Sequence, residues 1–274
     1  MHNNQAKYKH SVGLASLAQR LMQSSLINLK LVYQQELRSQ DKDYMQDISS
    51  INHSIYSESE KNQLKSVEQL LQDHDSGLEI LMDWMVSVKD RSDNLALGKA
   101  YQALYHHSDL KVKEFLAHNF PSGVVPLESA RGIDYQPLQQ LLTQQDFQKS
   151  DVLTLQKMCE LAGASAIERK WIYFTEVTNL PVVDLRTLDR LWLMSSEGKF
   201  GFSVQRRIWL SLGKDFTKLW TAIDWKSGNA WTRYPQEFTW DLSAPKGHLP
   251  LSNQLRGVRV IDAIFAHPAW TKEN

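Results

Sequence analysis

The chain has one cysteine, Cys159, in 274 residues, which excludes an intramolecular disulfide framework and any multi-thiolate zinc site. It also lacks net charge, since 31 lysines and arginines cancel 31 aspartates and glutamates. A dedicated DNA or RNA binder carries a clearly basic face, so nucleic acid is disfavoured as a partner. No apolar run approaches the roughly 18–20 residues that cross a bilayer. Catalytic signatures are missing too: there is no GxGxxG, no P-loop, no GxSxG nucleophile elbow, no HExxH and no EF-hand loop. What is present is 42% hydrophobic residues, enough to bury a real core, in a length suited to two domains.

Acid is absent from residues 1–35, which contain Lys7, Lys9, Arg20, Lys30 and several serines. An acid-free, serine-bearing, amphipathic start is the composition of an organelle transit peptide. Against that, Leu14, Leu17, Leu21 and Met22 recur at helical spacing, and arginine is scarce, which favours an ordinary amphipathic helix over 11–38. Gln19, Arg20 and Gln23 interrupt the apolar stretch and exclude a secretory signal.

Residues 1–58 form an N-terminal extension expected to be helical, with a polar hinge near 39–60. Over 59–120 the pattern is helix after helix. Leu64, Val67, Leu70 and Leu71 make one stripe; Leu78, Leu81, Met82 and Met85 the next; Leu95, Leu97, Ala100, Tyr101 and Leu104 a third; Val112, Phe115 and Leu116 a short fourth. Such stripes with short polar turns predict an antiparallel helical bundle. The run from Phe120 to Pro126 has two prolines and a glycine in seven residues, which cannot continue a helix and marks the boundary.

A second domain is expected over 130–270, again all-α. Val152, Leu155, Cys159 and Ala162 share a helix face ended by Gly163; Leu185, Leu188, Leu191 and Trp192 mark another helix, with Asp184 as its N-cap. Val204, Ile208 and Leu212 form a third, stopped by Gly213, and Leu255, Val258 and Ile261 begin a last one. Eighteen of the 27 aromatic residues, with eight of nine tryptophans, lie from position 134 onward. Between Asp224 and Pro250 there is no helical period, which predicts a long irregular loop of the kind that tends to be functional.

Few residues invite a catalytic reading. His106 and His107 are helical neighbours pointing about 100° apart, so they suit a bundle surface better than a shared ion. Cys159 on an apolar face is by default a buried, inert thiol. Gly198 to Gly201 reads as a tight turn. His248 is either a base or axial ligand, or a loop histidine bonded to backbone; nothing at a known spacing supports the first. The unusual combination lies elsewhere. Arg256 and Arg259 share a helix face at i,i+3, just after a loop with Trp225, Trp231, Tyr234, Phe238 and Trp240. Trp171, Ile172, Tyr173 and Phe174 add an apolar run. A groove with an apolar floor and arginines at its rim suits a large flat ligand bearing carboxylates. The plainer alternative is that these tryptophans fill the core and the arginines are solvated.

Three longer segments carry a resemblance: Asp184-Leu-Arg-Thr-Leu-Asp-Arg-Leu-Trp192, Gly198-Lys-Phe-Gly-Phe-Ser-Val-Gln-Arg-Arg207 and Thr239-Trp-Asp-Leu-Ser-Ala-Pro-Lys-Gly-His-Leu-Pro250. Together they resemble the genomes-uncoupled-four family of tetrapyrrole-binding regulators of chlorophyll synthesis, over essentially all of 130–270. The preceding bundle and Gly132-Ile-Asp-Tyr-Gln-Pro-Leu138 resemble its cyanobacterial form. The resemblance implies a noncatalytic all-α domain, with a loop over an apolar cavity for protoporphyrin IX and Mg-protoporphyrin IX, and in some members a linear bilin. It implies the large porphyrin-handling subunit of magnesium chelatase as partner. It implies a plastid stroma or a cyanobacterial cytoplasm as location, with peripheral association to thylakoid or envelope membrane. Matched motif by motif, Arg256 and Arg259 inherit the propionate-side role, Asn253 a cavity position and Phe174 an apolar cavity position. Tyr234, close after Trp231, stands where cyanobacterial relatives carry tryptophan, a smaller stacking surface. Two rivals predict different behaviour: a tetrapyrrole-modifying enzyme using His248 and the arginines, and a bilin-binding scaffold or light sensor.

Overall fold

The computed structural model describes residues 50–57, 59–72, 76–91, 93–251 and 258–271, and the chain divides into compact units at 1–54 and 55–274. The expected helix over 11–38 lies outside the described residues; of the first unit, residues 50–54 are described and are helical.

In the second unit the apolar stripes form helices α1 (Glu60–Gln72), α2 (Ser76–Ser87), α3 (Leu95–Tyr105) and α4 (Leu110–Asn119). Val67 and Leu70 of α1, Leu81 and Met85 of α2, and Leu97, Ala100 and Leu104 of α3 are buried, so periodicity translates directly into packing. Local chemistry fixes the helix starts. Asn94 accepts from the backbone N–H of Ala96 at 3.0 Å and Leu97 at 3.2 Å, while its amide donates to Gln63 on α1 at 2.9 Å. Asp109 caps α4 in the same way, accepting from the Lys111 N–H at 2.6 Å.

Beyond the Pro/Gly connector come α5 (Gln136–Thr143), α6 (Phe147–Ala162), α7 (Ala164–Arg169), α8 (Phe174–Val177), α9 (Val182–Met194), α10 (Phe202–Ser211) and α11 (Phe216–Ala222). A hairpin of β1 (Lys226–Ser227) and β2 (Ala230–Trp231) follows, with Lys226 opposite Trp231, and then α12 (Arg259–Ala266). Apart from that hairpin, the described fold is all-α. Gly163 ends α6 at φ +107°, as its position in the sequence suggests, and Gly213 follows α10 at φ +72°.

Asp184 is not an N-cap. Pro181 holds that position in α9, and Asp184 lies inside the first turn, fully buried. Its carboxylate accepts from the Ser129 hydroxyl at 2.5 Å, the Ala130 N–H at 3.0 Å and the Tyr135 hydroxyl at 2.8 Å, pinning the segment ahead of α5 to α9. Burial, and then the bond to Asp184, push the Tyr135 phenol well above its ordinary value. Asp189, one turn further, accepts from the Ser203 N–H at 2.8 Å and so caps α10 from a neighbouring helix.

The bundle and the later helices meet along α3 and α9. Gln102 of α3 donates to the carbonyls of Ser195 at 2.9 Å and Leu142 at 3.3 Å. Gly98, in mid-helix, lies so close to α9 that a Cβ there would be 2.3 Å from the Met194 carbonyl oxygen. The aromatic core of the second half stacks Trp192 with Phe147 (6.0 Å) and Trp220 with Trp225 (5.3 Å).

Candidate functional site

Helix α6 is amphipathic in an unexpected sense. Its buried side carries Phe147, Ser150, Asp151, Thr154, Met158 and Leu161, several of them polar and bonded: the Thr154 hydroxyl donates to the Ser150 carbonyl and receives the Trp192 indole N–H at 3.0 Å. The apolar stripe read from the sequence faces outward over part of its length. Val152 is 43% exposed, Leu155 is half-buried, and Ile167 of α7 is 51% exposed. Together with Gln156, Cys159, Glu160 and Lys170 they line a cavity of about 420 Å³. That volume falls within the roughly 300–1,000 Å³ of small-molecule sites. Cys159 is buried, and burial pushes its thiol up to about 11, so it contributes an apolar wall and no thiolate at neutral pH.

Lys170, at the cavity wall, leads into an aromatic corner. After Lys170, Trp171 and Tyr173 meet edge to face at 4.3 Å, and the Arg169 guanidinium lies over both rings, 5.2 Å and 4.4 Å from their centroids. Arg169 also binds Glu176 of α8 through both carboxylate oxygens at 2.8 Å, and Glu176 accepts from the Tyr173 N–H at 2.7 Å. These bonds hold the Glu176 carboxyl below its ordinary value against the opposing effect of burial, the largest single influence on it. One terminal nitrogen of Arg169 is thus engaged by Glu176, while its buried Nε has no hydrogen-bond partner.

Arg259, exposed at the start of α12, stands 5.4 Å above the ring of Phe174, itself 38% exposed. These are the two expected site residues that the structure brings together, through the packing of α12 on α8. Trp231 instead packs on Trp220 at 5.9 Å with the Lys226 ammonium 5.5 Å from its ring, and Tyr234 groups with Phe238 and Trp240. Both remain 43% exposed. Arg256 and Asn253 lie outside the described residues. Val152, Leu155 and Ile167 were not singled out as site residues from sequence; the signal was there in an apolar stripe, but periodicity does not say what covers it.

Apart from the hairpin the stretch 224–250 is irregular, as its lack of helical period predicts, but much of it is fastened to the core. Trp225 is fully buried and donates from its indole to the His248 carbonyl at 2.7 Å, so it belongs to the core and not to a groove floor. Gln205 donates to the carbonyls of Gly247 at 3.0 Å and Pro250 at 2.8 Å, the Lys199 ammonium binds the Leu242 carbonyl, and Phe238, Ala244, His248 and Leu249 are buried. The stretch is thus fastened along its second half, and exposure is concentrated around the hairpin and Tyr234.

His248 settles as a strut. Its Nε2 accepts from the Thr239 N–H at 3.2 Å, which leaves Nδ1 as the protonated nitrogen, donating to the Ile223 carbonyl at 2.7 Å. With both nitrogens bonded to backbone and the side chain fully buried, it has no free position for base catalysis or axial ligation. Among the described residues, no group of three or more His, Cys, Asp or Glu side chains is arranged to hold a metal.

Residues 128–268 match the family described as GUN4-like, and residues 39–121 match an ARM-like repeat domain described as GUN4-N terminal. The chain belongs to the GUN4-like family. It is 49% identical over 227 residues to the Ycf53-like protein of Synechocystis sp., covering 82% of this chain and 97% of that one. It is 36% identical over 142 residues, 48% of this chain and 54% of the other, to a protein of Arabidopsis thaliana named tetrapyrrole-binding protein, chloroplastic. The structure of GUN4 from Chlamydomonas reinhardtii is similar with a TM-score of 0.51 at 43% identity, over 54% of this chain and 96% of that chain. Among the described residues no helix is long and apolar enough to cross a membrane.

Proposed function

We propose that this chain binds a tetrapyrrole, protoporphyrin IX or Mg-protoporphyrin IX, without transforming it, and through the bound ligand stimulates magnesium chelatase by way of that enzyme's large porphyrin-handling subunit. The observation that carries the reading is the outward apolar face of α6: Val152, Leu155 and Ile167 open onto a cavity of about 420 Å³ where an ordinary helix would meet core. A macrocycle laid there covers apolar surface worth about 25 cal/mol per Å². Its propionates, the only charged part, need cations near the cavity edge. Lys170 lines the cavity itself, and Arg259, exposed above Phe174, is the cation the resemblance adds; each charge-assisted bond contributes roughly 1.5–3 kcal/mol. The name of the Arabidopsis relative supports the ligand class. His248, with both nitrogens bonded to backbone, weighs against a tetrapyrrole-modifying enzyme.

The location that goes with this reading is a plastid stroma or a cyanobacterial cytoplasm, with peripheral association to the membranes that carry such lipophilic ligands. Replacing Arg256→Ala together with Arg259→Ala is expected to weaken deuteroporphyrin binding while leaving the helical signal intact. In a magnesium chelatase assay at limiting magnesium, the unmodified chain is expected to raise the rate and the double variant to raise it less. Absence of stimulation by the unmodified chain would remove the regulatory half of the proposal.

A further inference from the structure

On the cavity helix, next to Val152, one carboxyl has its back to the cavity. Asp151 of α6 is 6% exposed, and its Oδ1 accepts from the Leu251 N–H at 2.6 Å. Leu251 closes the buried stretch that begins at Gly247, eight positions ahead of Arg259. The bond therefore ties the cavity wall to the far end of the segment that carries Tyr234, across 100 residues of chain. We infer that Asp151 is a positioning residue for the tetrapyrrole site, holding Leu251 and the segment before it against α6, and that ligand binding is linked to the proton of this carboxyl. The inference rests on the proposed ligand class.

The chemistry gives the sign. A carboxylate holds an N–H more strongly than the neutral acid does, so the ionised form grips Leu251, the end of the segment, more firmly than the protonated form. Burial pushes the Asp151 carboxyl up to about 7, with the Leu251 bond opposing, which puts the change in the neutral range. The surroundings offer little to mask it. From the 226–251 stretch the facing titratable group is the Tyr234 phenol, raised by burial and then by Asp151, while His248 has both ring nitrogens on backbone. Helix α5, packed on α6, has no titratable side chain. Helix α9 meets α6 through Trp192 and Thr154, and its carboxylates Asp184 and Asp189 are bonded elsewhere. On α7, Arg169 is paired with Glu176, and on α6 itself Lys157 pairs with Glu160 and Lys149 with Asp146.

The test is a tryptophan-quenching titration with deuteroporphyrin on the full chain at pH 6, 7 and 8, with Asp151→Asn alongside. The expected result is affinity falling roughly three- to tenfold from pH 8 to pH 6 in the unmodified chain, within the limit of tenfold per pH unit for one proton. Asp151→Asn is expected to bind more weakly at pH 8 and with a flat profile. Calorimetry of the unmodified chain at pH 7, in two buffers of different ionisation enthalpy, is expected to show proton release on binding; this arm stands even if the variant fails to fold. Identical pH profiles for the two proteins, or binding without proton release, would overturn the inference while leaving the ligand class standing. No quenching at any pH would overturn both.

Discussion

At the residue scale, the structure turns on side chains that satisfy distant backbone. His248 and His267 are the plainest cases. His267 accepts from the Ala269 N–H at 3.1 Å and donates to the Leu180 carbonyl at 2.9 Å, as His248 does between Thr239 and Ile223. Burial lowers both pKa values, so each ring is held neutral in the folded chain. A histidine whose folded pKa is depressed contributes stability that is complete above its unfolded value of about 6.5 and is lost as pH falls below it. His248→Ala is expected to lower stability at pH 8 by about 2–4 kcal/mol, because buried backbone groups lose their partners. Denaturant melts from pH 8 to pH 5 should also show a shallower acid loss in that variant. Gly98 acts through what it lacks. Gly to Ala in mid-helix ordinarily gains about 1 kcal/mol. Here the new Cβ would be 2.3 Å from the Met194 carbonyl oxygen, and backbone cannot step aside as a side chain can. Gly98→Ala is therefore expected to destabilise by roughly 1–3 kcal/mol, measured as a lowered midpoint; a raised midpoint would refute the close approach.

At the scale of the element, α6 is the informative case. Its opposite faces make opposite forecasts. Val152→Glu, on the exposed side, is expected to change stability by no more than about 0.5 kcal/mol, whereas Leu161→Ala, fully buried, is expected to cost about 2–5 kcal/mol. Equal losses in thermal melts would mean that Val152 is core after all. The same helix shows how far a sequence reaches. Stripes such as Val67 with Leu70, or Leu97 with Ala100 and Leu104, were legible because one buried face repeats every 3.6 residues. Gly163 was legible because its φ of +107° suits glycine alone. Asp184 was misread because its partners, Ser129 and Tyr135, lie some fifty positions away, and capping rules see only neighbours. Trp225 and Trp231, six positions apart in an aromatic loop, are fully buried and 43% exposed respectively. Composition cannot separate them: both pack on Trp220, and the indole bond of Trp225 to the His248 carbonyl marks the one that enters the core.

At the scale of the whole molecule, unit 55–274 brings together a cavity with an apolar helical wall, an arginine above an aromatic ring, and a loop fastened along its second half. In the proposed reading a flat ligand enters without unfolding helices, with adjustment left to the exposed side chains around the hairpin and Tyr234. The eight tryptophans of the second half place reporters throughout that frame. The direct measurement is therefore a deuteroporphyrin titration followed by tryptophan quenching, comparing the unmodified chain with Val152→Glu combined with Ile167→Glu. The account predicts saturable quenching for the first and at least roughly tenfold weaker binding for the second, with an unchanged melt, because two carboxylates would have to be desolvated under an apolar ring. Superimposable titration curves for the two proteins would contradict it.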